Sequence, residues 1–214
     1  GDNAILEGNK IAVYNYTNNS SQNDDDWRGR YTACVYGYGQ VTSTNDTLIT
    51  ARNTAGIHAV DLNMSGTIIS NSSSSATEYY KAVYASGSLS MDNVTITGMR
   101  YPVYFTGTSG TIKNSTLVSF GDDGVTVTNA DATFNIERVT IIGPGSGTGI
   151  NLSADGTTLN MNSSVVNGFS AGLSAVSTPT LYSNSFYNNT NNFTGNGIGS
   201  DLGNINSYNV NGDA

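Results

Sequence analysis

Five segments of the chain, beginning at Leu89, Ile112, Phe134, Leu159 and Leu181, superimpose at steps of 23, 22, 25 and 22 residues. Within each, apolar residues recur at nearly fixed offsets. A repeat this short cannot close a core of its own, so each copy must bury its apolar side against the next, which is how a solenoid forms. The repeat predicts an all-β protein wound into stacked coils.

The best-defined coil reads SLSMDNVTITGMRYPVYFTG, from Ser88 to Gly107. Leu89 and Met91 alternate with polar neighbours, as do Val94 with Ile96 and Val103 with Phe105, giving three short strands of period two. Five residues after each start come Val94, Leu117, Val139, Ser164 and Phe186; about fourteen after come Val103, Val125, Ile150 and Leu173. Branched and aromatic residues suit this one-sided burial. Consecutive circuits place parallel strands above one another at about 4.8 Å, with right-handed connections. The expected fold is therefore a right-handed, single-stranded parallel β-helix with three short strands per coil.

Gly98, Gly121, Gly143 and Gly168 each fall nine residues after a start, with Asn71 at the same place relative to Leu62. A glycine recurring at one bend implies a positive φ there, and hence a structural corner. Val41, Leu48 and Ile57, and then Leu62, Ile69 and Val83, fit weaker upstream coils. The chain divides accordingly into an atypical N-terminal cap with first strands (1–40), coils (41–195), and a partial coil, tail or donated strand (196–214). The cap holds KIAVYNY and RYTACVYGY around the polar loop NNSSQNDDDWRG. The last segment carries spaced apolar residues at Ile198, Leu202, Ile205 and Val210.

Only 11% of residues are charged, and 16 acidic against 8 basic side chains give a formal charge of −8. Phosphate binding needs clustered Lys and Arg, so nucleic acid is not an expected partner. No apolar run reaches the length needed to span a bilayer, so no membrane insertion is expected. No signal peptide is visible, and any export signal is expected to have been removed. Cys34 is the single cysteine, read as a small buried hydrophobe. A surface made soluble by Ser, Thr and Asn suits an extracellular or cell-surface location.

The segments NVTITG, VTIIGPGSGTGI and NSTLVSFGDDGVTV resemble the repeats of right-handed parallel β-helix proteins of the pectate-lyase-like superfamily, over roughly residues 41 to 195. In texture AVYASGSLSMDNVTITG is most similar to autotransporter passengers and related adhesins. The fold carries many functions, so this resemblance implies architecture rather than activity. One local match implies an enzyme: Gly121, Asp122 and Asp123 resemble the Gly-Asp-Asp of polygalacturonases, whose paired carboxylates serve as acid and base in inverting hydrolysis. The rest of that family's set is missing. Gly143, Pro144 and Gly145 stand where it has Gly-His-Gly, Asn114, Ser115 and Thr116 lack the acid of its Asn-Thr-Asp, and no basic residue follows Arg138. Lyase chemistry needs acidic calcium ligands, whereas Tyr104, Thr126, Asn151 and Ser174 occupy the outward positions of the third strand.

Other readings of these residues are structural. Arg100 and Asp123 each lie 11 residues after a start, which predicts an ion pair between adjacent coils, with Arg52 and Lys81 on the same side. Asp24, Asp25 and Asp26 read as a solvated loop, lone His58 as a packed or surface residue, and GPGSGTG as a turn. Neither metal nor cofactor is expected. Tyr79, Tyr80, Tyr84, Tyr101 and Tyr104 either offer flat faces to sugar rings, with Arg100 in the same ligand-binding set, or cover the bend after Asn71. Asn15, Asn45, Asn63, Asn151 and Asn188 head Asn-X-Ser/Thr triplets open to glycosylation, whereas Asn93 and Asn114 suit tight corners. Thr95, Val118, Thr140 and Val165 line an outward face for self-association. The expected function is noncatalytic: adhesion or self-assembly of an extracellular β-helix, with other copies or cell-surface glycans as partners. The alternative is a polysaccharide-binding or polysaccharide-degrading β-helix.

Overall fold

Alternating short strands bury one face each, and three such faces wound round a common axis enclose a core that includes no helix among the described residues. The computed structural model describes residues 3–7, 12–15, 33–50, 55–71 and 81–195. The first strands are β1 (Asn3–Glu7), β2 (Ala12–Asn15), β3 (Ala33–Thr44), β4 (Thr47–Thr50), β5 (Ala55–Ser65) and β6 (Ile68–Asn71). Three-strand coils follow: β7 (Lys81–Ala85), β8 (Ser88–Asp92), β9 (Thr95–Met99); β10 (Tyr101–Phe105), β11 (Ser109–Lys113), β12 (Thr116–Ser119); β13 (Val125–Val127), β14 (Thr133–Glu137), β15 (Thr140–Ile142). The last are β16 (Thr148–Leu152), β17 (Thr158–Asn162), β18 (Val165–Asn167), β19 (Ala171–Ala175), β20 (Thr180–Tyr182), β21 (Ser185–Tyr187) and β22 (Asn191–Thr194).

Every pairing is parallel, and strands join those one coil away. Face 1 runs from β7 through β10, β13, β16 and β19 to β22; face 2 from β8 through β11, β14 and β17 to β20; face 3 from β2 through β4, β6, β9, β12, β15 and β18 to β21. The three short strands per coil hold from Lys81 onward. Upstream, β3 and β5 are single strands of 12 and 11 residues that serve faces 1 and 2 without a break, so the boundary expected at residue 41 falls inside β3. Both β1 and β2 join the ladder as further rungs, on β3 and β4.

Inward residues stack on their equivalents. Ile57, Val83, Val103, Val125, Ile150 and Leu173 form one column on face 1. Ile69, Ile96, Leu117, Ile141, Val166 and Phe186 form another on face 3, and all twelve side chains are buried. On face 2 the register corrects the sequence alignment. Ile112 pairs with Met91 and Ile136, while Gly110 pairs with Leu89 and Phe134. The starts at Ile112 and Leu181 were each two residues late; Leu181 pairs with Met161 rather than with Leu159. The physical reason at Gly110 is a filled space: a Cβ there would lie 2.2 Å from Cε2 of Phe134, whose ring occupies the missing side chain's place. The same correction places Leu117 and Phe186 level with Ile96, and Val94 level with Ser115.

The corner glycines divide. Gly98 and Gly168 adopt φ of 70° and 77° as expected, and Gly98 supplies the extra residue at the register shift between β9 and β12. Gly121 and Gly143 do not have positive φ. Close approach explains Gly143, where a Cβ would lie 2.5 Å from the Phe169 ring. The recurring left-handed residue sits instead at the corner from face 2 to face 3: Asn45, Gly66, Asn93, Asn114, Arg138, Ser163 and Ser183, with φ between 49° and 61°. Asn93 and Asn114 are therefore corner residues, as their sequence context suggested.

Candidate functional site

The tightest corner leads from face 3 to face 1, where Arg100 alone separates β9 from β10. One coil on, the same corner is five residues long, 120–124, and carries Asp122 and Asp123. The Ser119 hydroxyl ties the two corners together, its one proton shared between the carbonyls of Arg100 at 2.9 Å and Asp122 at 2.8 Å. Arg100 Nε then bonds Asp122 Oδ2, so the ion pair is Arg100–Asp122 and not the predicted Arg100–Asp123. The shorter corner at Arg100 and the two-residue misalignment at Ile112 together explain the shift. The Tyr101 hydroxyl donates to Asp122 as well. Burial first, and then this bond, push the Tyr101 phenol well above its ordinary value.

Asp123 turns the other way. Its Oδ1 accepts from the backbone N–H of Thr148 at 2.9 Å, and its Oδ2 from Asn151 Nδ2 at 2.8 Å and Thr126 Oγ1 at 3.2 Å. The two carboxylates thus have separate partners in different coils. One is paired with a guanidinium, and both oxygens of the other hold donors from β13 and β16, so either would have to abandon a structural contact to take part in proton transfer with a substrate. The side chains flanking a catalytic pair are not supplied by the next coil, where residues 143–147 cover this corner: Ser146 Oγ donates to Gly121 O at 3.1 Å.

On face 1, register places His58, Tyr84 and Tyr104 in one outward column, followed by Thr126, Asn151 and Ser174. Tyr84 and Tyr104 stack with centroids 5.8 Å apart and planes at 10°, and His58 meets Tyr84 edge-on at 4.3 Å. Lys81 Nζ lies 3.9 Å from the Tyr104 ring centroid, a cation–π distance, and Tyr101 adjoins Tyr104 at 6.4 Å. Burial, and then the Lys81 charge, lower the His58 pKa below its usual 6.5. The rings are set face to face along the axis, so much of their flat surface is spent on one another. Sequence reasoning grouped Tyr84, Tyr101 and Tyr104 but missed Lys81 and His58 as members; their even spacing, at 20-odd residues from equivalent tyrosines, was the available signal.

Tyr79, Tyr80 and the Asp24–Asp26 run lie outside the described residues, and so do the side chains of Asn15 and Cys34. Asn63 is exposed on face 2, and Asn45 and Asn188 are exposed at corners, whereas the Asn151 amide is engaged with Asp123. The face 3 set also shifts: Thr95, Thr140 and Val165 share one row with Thr116, and Val118 belongs to the next row, opposite Ile142. Among the described residues no three His, Cys, Asp or Glu side chains form a metal-binding group. No helix among them is long and apolar enough to cross a membrane.

Residues 82–213, more than half of the chain, match the family described as right-handed β-helix region. The chain belongs to the right-handed β-helix family. No curated protein and no solved structure matches it. The family assignment covers the coils that carry Arg100, Asp122 and the tyrosine column, and it brings no activity with it, because β-helix coils are a scaffold onto which different sites are built.

Proposed function

We propose that this β-helix is a noncatalytic structural and adhesive protein of the extracellular space or cell surface, acting through self-assembly or surface attachment. The observation that carries the reading is face 3. Its outward rows over β6, β9, β12, β15, β18 and β21 contain no charged side chain, and Thr95, Thr116, Val118, Thr140, Ile142 and Val165 make its centre β-branched and rich in methyl groups. On a molecule of formal charge −8, such a face is where a second copy approaches with least repulsion. Six rungs about 4.8 Å apart and about 10 Å wide present about 300 Å². That is well under the roughly 800 Å² per partner of a stable pair, so a single contact is weak and attachment depends on repetition.

Mass photometry and sedimentation across a concentration series test this. The unaltered chain forms concentration-dependent oligomers, and the double variant Val118→Lys with Thr140→Lys stays monomeric while retaining its β circular-dichroism spectrum. A chain that is strictly monomeric at every concentration and adheres to no cell surface sinks the reading.

A second reading, a polysaccharide-binding β-helix, is favoured by one feature: the Lys81, Tyr84, Tyr101 and Tyr104 cluster beside Arg100. It ranks lower because ring faces already stacked on one another leave mainly edges and hydroxyls for a sugar. A glycan array separates the two readings, since Tyr104→Ala would abolish glycan binding and leave assembly intact.

A further inference from the structure

Face 2 is regular along its length. From β3 through the second half of β5 and on to β20 its strands stay in one register, whereas pairing on face 3 shifts between β9 and β12. Its central outward row reads Asn63, Ser90, Thr111, Asn135, Asn160 and Thr180. The row beside it begins at Asp61 of β5 and reads on through Ser88, Ser109, Thr133 and Thr158. Asp61 apart, every member of both rows is a neutral hydroxyl or amide. Asn160 Nδ2 donates to Asn135 Oδ1 at 3.0 Å, a ladder bond of the kind that keeps a sheet flat.

This arrangement sets a two-dimensional grid of hydrogen-bonding groups. Equivalent oxygens on adjacent rungs are about 4.8 Å apart, and a water about 2.8 Å from each subtends an angle of about 118°, close to tetrahedral. Along a strand, side chains of one face repeat at about 6.6 Å, a gap two linked waters span. The grid therefore holds its hydration water in nearly the geometry water takes with itself.

A macromolecule is a poor occupant for such a face. Exchanging bound water for another polar group nets only about 0.5 to 1.5 kcal/mol per hydrogen bond, and these rows offer no aromatic side chain for a sugar ring to stack on. A second copy would bury only about 300 Å² of this polar surface, again below the roughly 800 Å² that a stable pair requires. Ice is the one partner that need not displace the ordered water. It is also neutral, matching two rows that carry no charge from Ser88 onward. The charges of face 2 are engaged: Asp92, Lys113 and Glu137 form its third outward row, beside the corner to face 3, where Lys113 pairs with Glu137 at 3.4 Å and Asp92 accepts from Asn114 at 2.7 Å, and Asp61 accepts from Ser88.

We propose that face 2 is an ice-binding surface, with Ser90, Thr111, Asn135 and their neighbours templating water onto a crystal plane. It is independent of the assembly reading, which rests on face 3. The test grows ice slowly from a dilute solution of the full chain and measures the fraction of protein retained in the crystal, alongside inhibition of recrystallisation. The unaltered chain is retained and holds crystals small. Ser90→Lys and, separately, Ser109→Lys, both at exposed positions, reduce retention by about tenfold or more, because an ammonium pressed against ice loses its own hydration. Val176→Lys, exposed at a corner, leaves retention unchanged. Exclusion of the unaltered chain from ice, as for an ordinary globular protein, overturns the proposal. So does full retention of both folded face 2 variants, or a finding that they abolish a dimer or glycan binding with no ice activity in the parent.

Discussion

A single missing side chain governs how this sequence aligns with itself. Gly110 stands where other coils place Leu89 or Leu159, and the Phe134 ring fills the vacated volume while packing against Phe105 at 5.2 Å. An alignment that follows apolar residues skips over such a position, because the side chain that fills it comes from a coil 24 residues away in register. Gly110→Ala should therefore destabilise the fold by about 1 to 3 kcal/mol through overpacking, and Phe134→Leu in the same chain should recover part of that loss in a thermal melt. His58 gives a pH prediction at the same scale. Its folded-state pKa lies below the unfolded value, so the unfolded chain binds the proton more readily. Stability is unaffected well above pH 6.5, falls as pH drops through about 6.5, and levels off once the folded-state value is passed. Denaturant titrations between about pH 8 and pH 5 should show this slope flattened in His58→Gln.

At the scale of the strand and its corner, much of the architecture is legible in the sequence. Period-two burial fixes the strands, and the columns from Val103 to Leu173 are found by counting alone. The corners are harder, because Arg138, Ser163 and Ser183 take the left-handed conformation without the glycine that would announce it. The partners of Asp122 and Asp123 were hidden for a related reason: the lengths of neighbouring corners set which carboxylate meets Arg100, and periodicity carries no information on corner length. Ser183 is exposed, with φ of 53°, so Ser183→Gly should raise the melting midpoint by relieving about 1 kcal/mol of strain. Inside the same corner, Ser115 Oγ accepts from the Val94 N–H at 3.1 Å and donates to Lys113 O, and Ser164 does the same for Val139 at 3.0 Å and Asn162 O. Ser115→Ala leaves a buried donor unmet, at a cost of about 1 to 3 kcal/mol measurable by denaturant unfolding, with amide exchange accelerated at Val94.

For the whole molecule, stability is a sum over coils and their contacts rather than the property of one centre. Charge acts at this scale too. With a net −8, copies repel until salt shortens the reach of their fields to about 8 Å at physiological strength. Association through face 3 should therefore strengthen as salt rises from about 0.01 M to 0.15 M, the reverse of an ion-pair-driven contact, and sedimentation would register it. The repeating corner has one more consequence. Its geometry asks for a residue tolerant of positive φ, then a buried one, then an outward β-branched one, and Asn93-Val94-Thr95 and Asn114-Ser115-Thr116 answer that demand. Each is also an acceptor triplet for N-linked sugar. In this molecule a signal normally read as an instruction to a modifying enzyme is written by the backbone for its own purposes, and Asn93 and Asn114, one rung apart, leave no room for two glycans side by side.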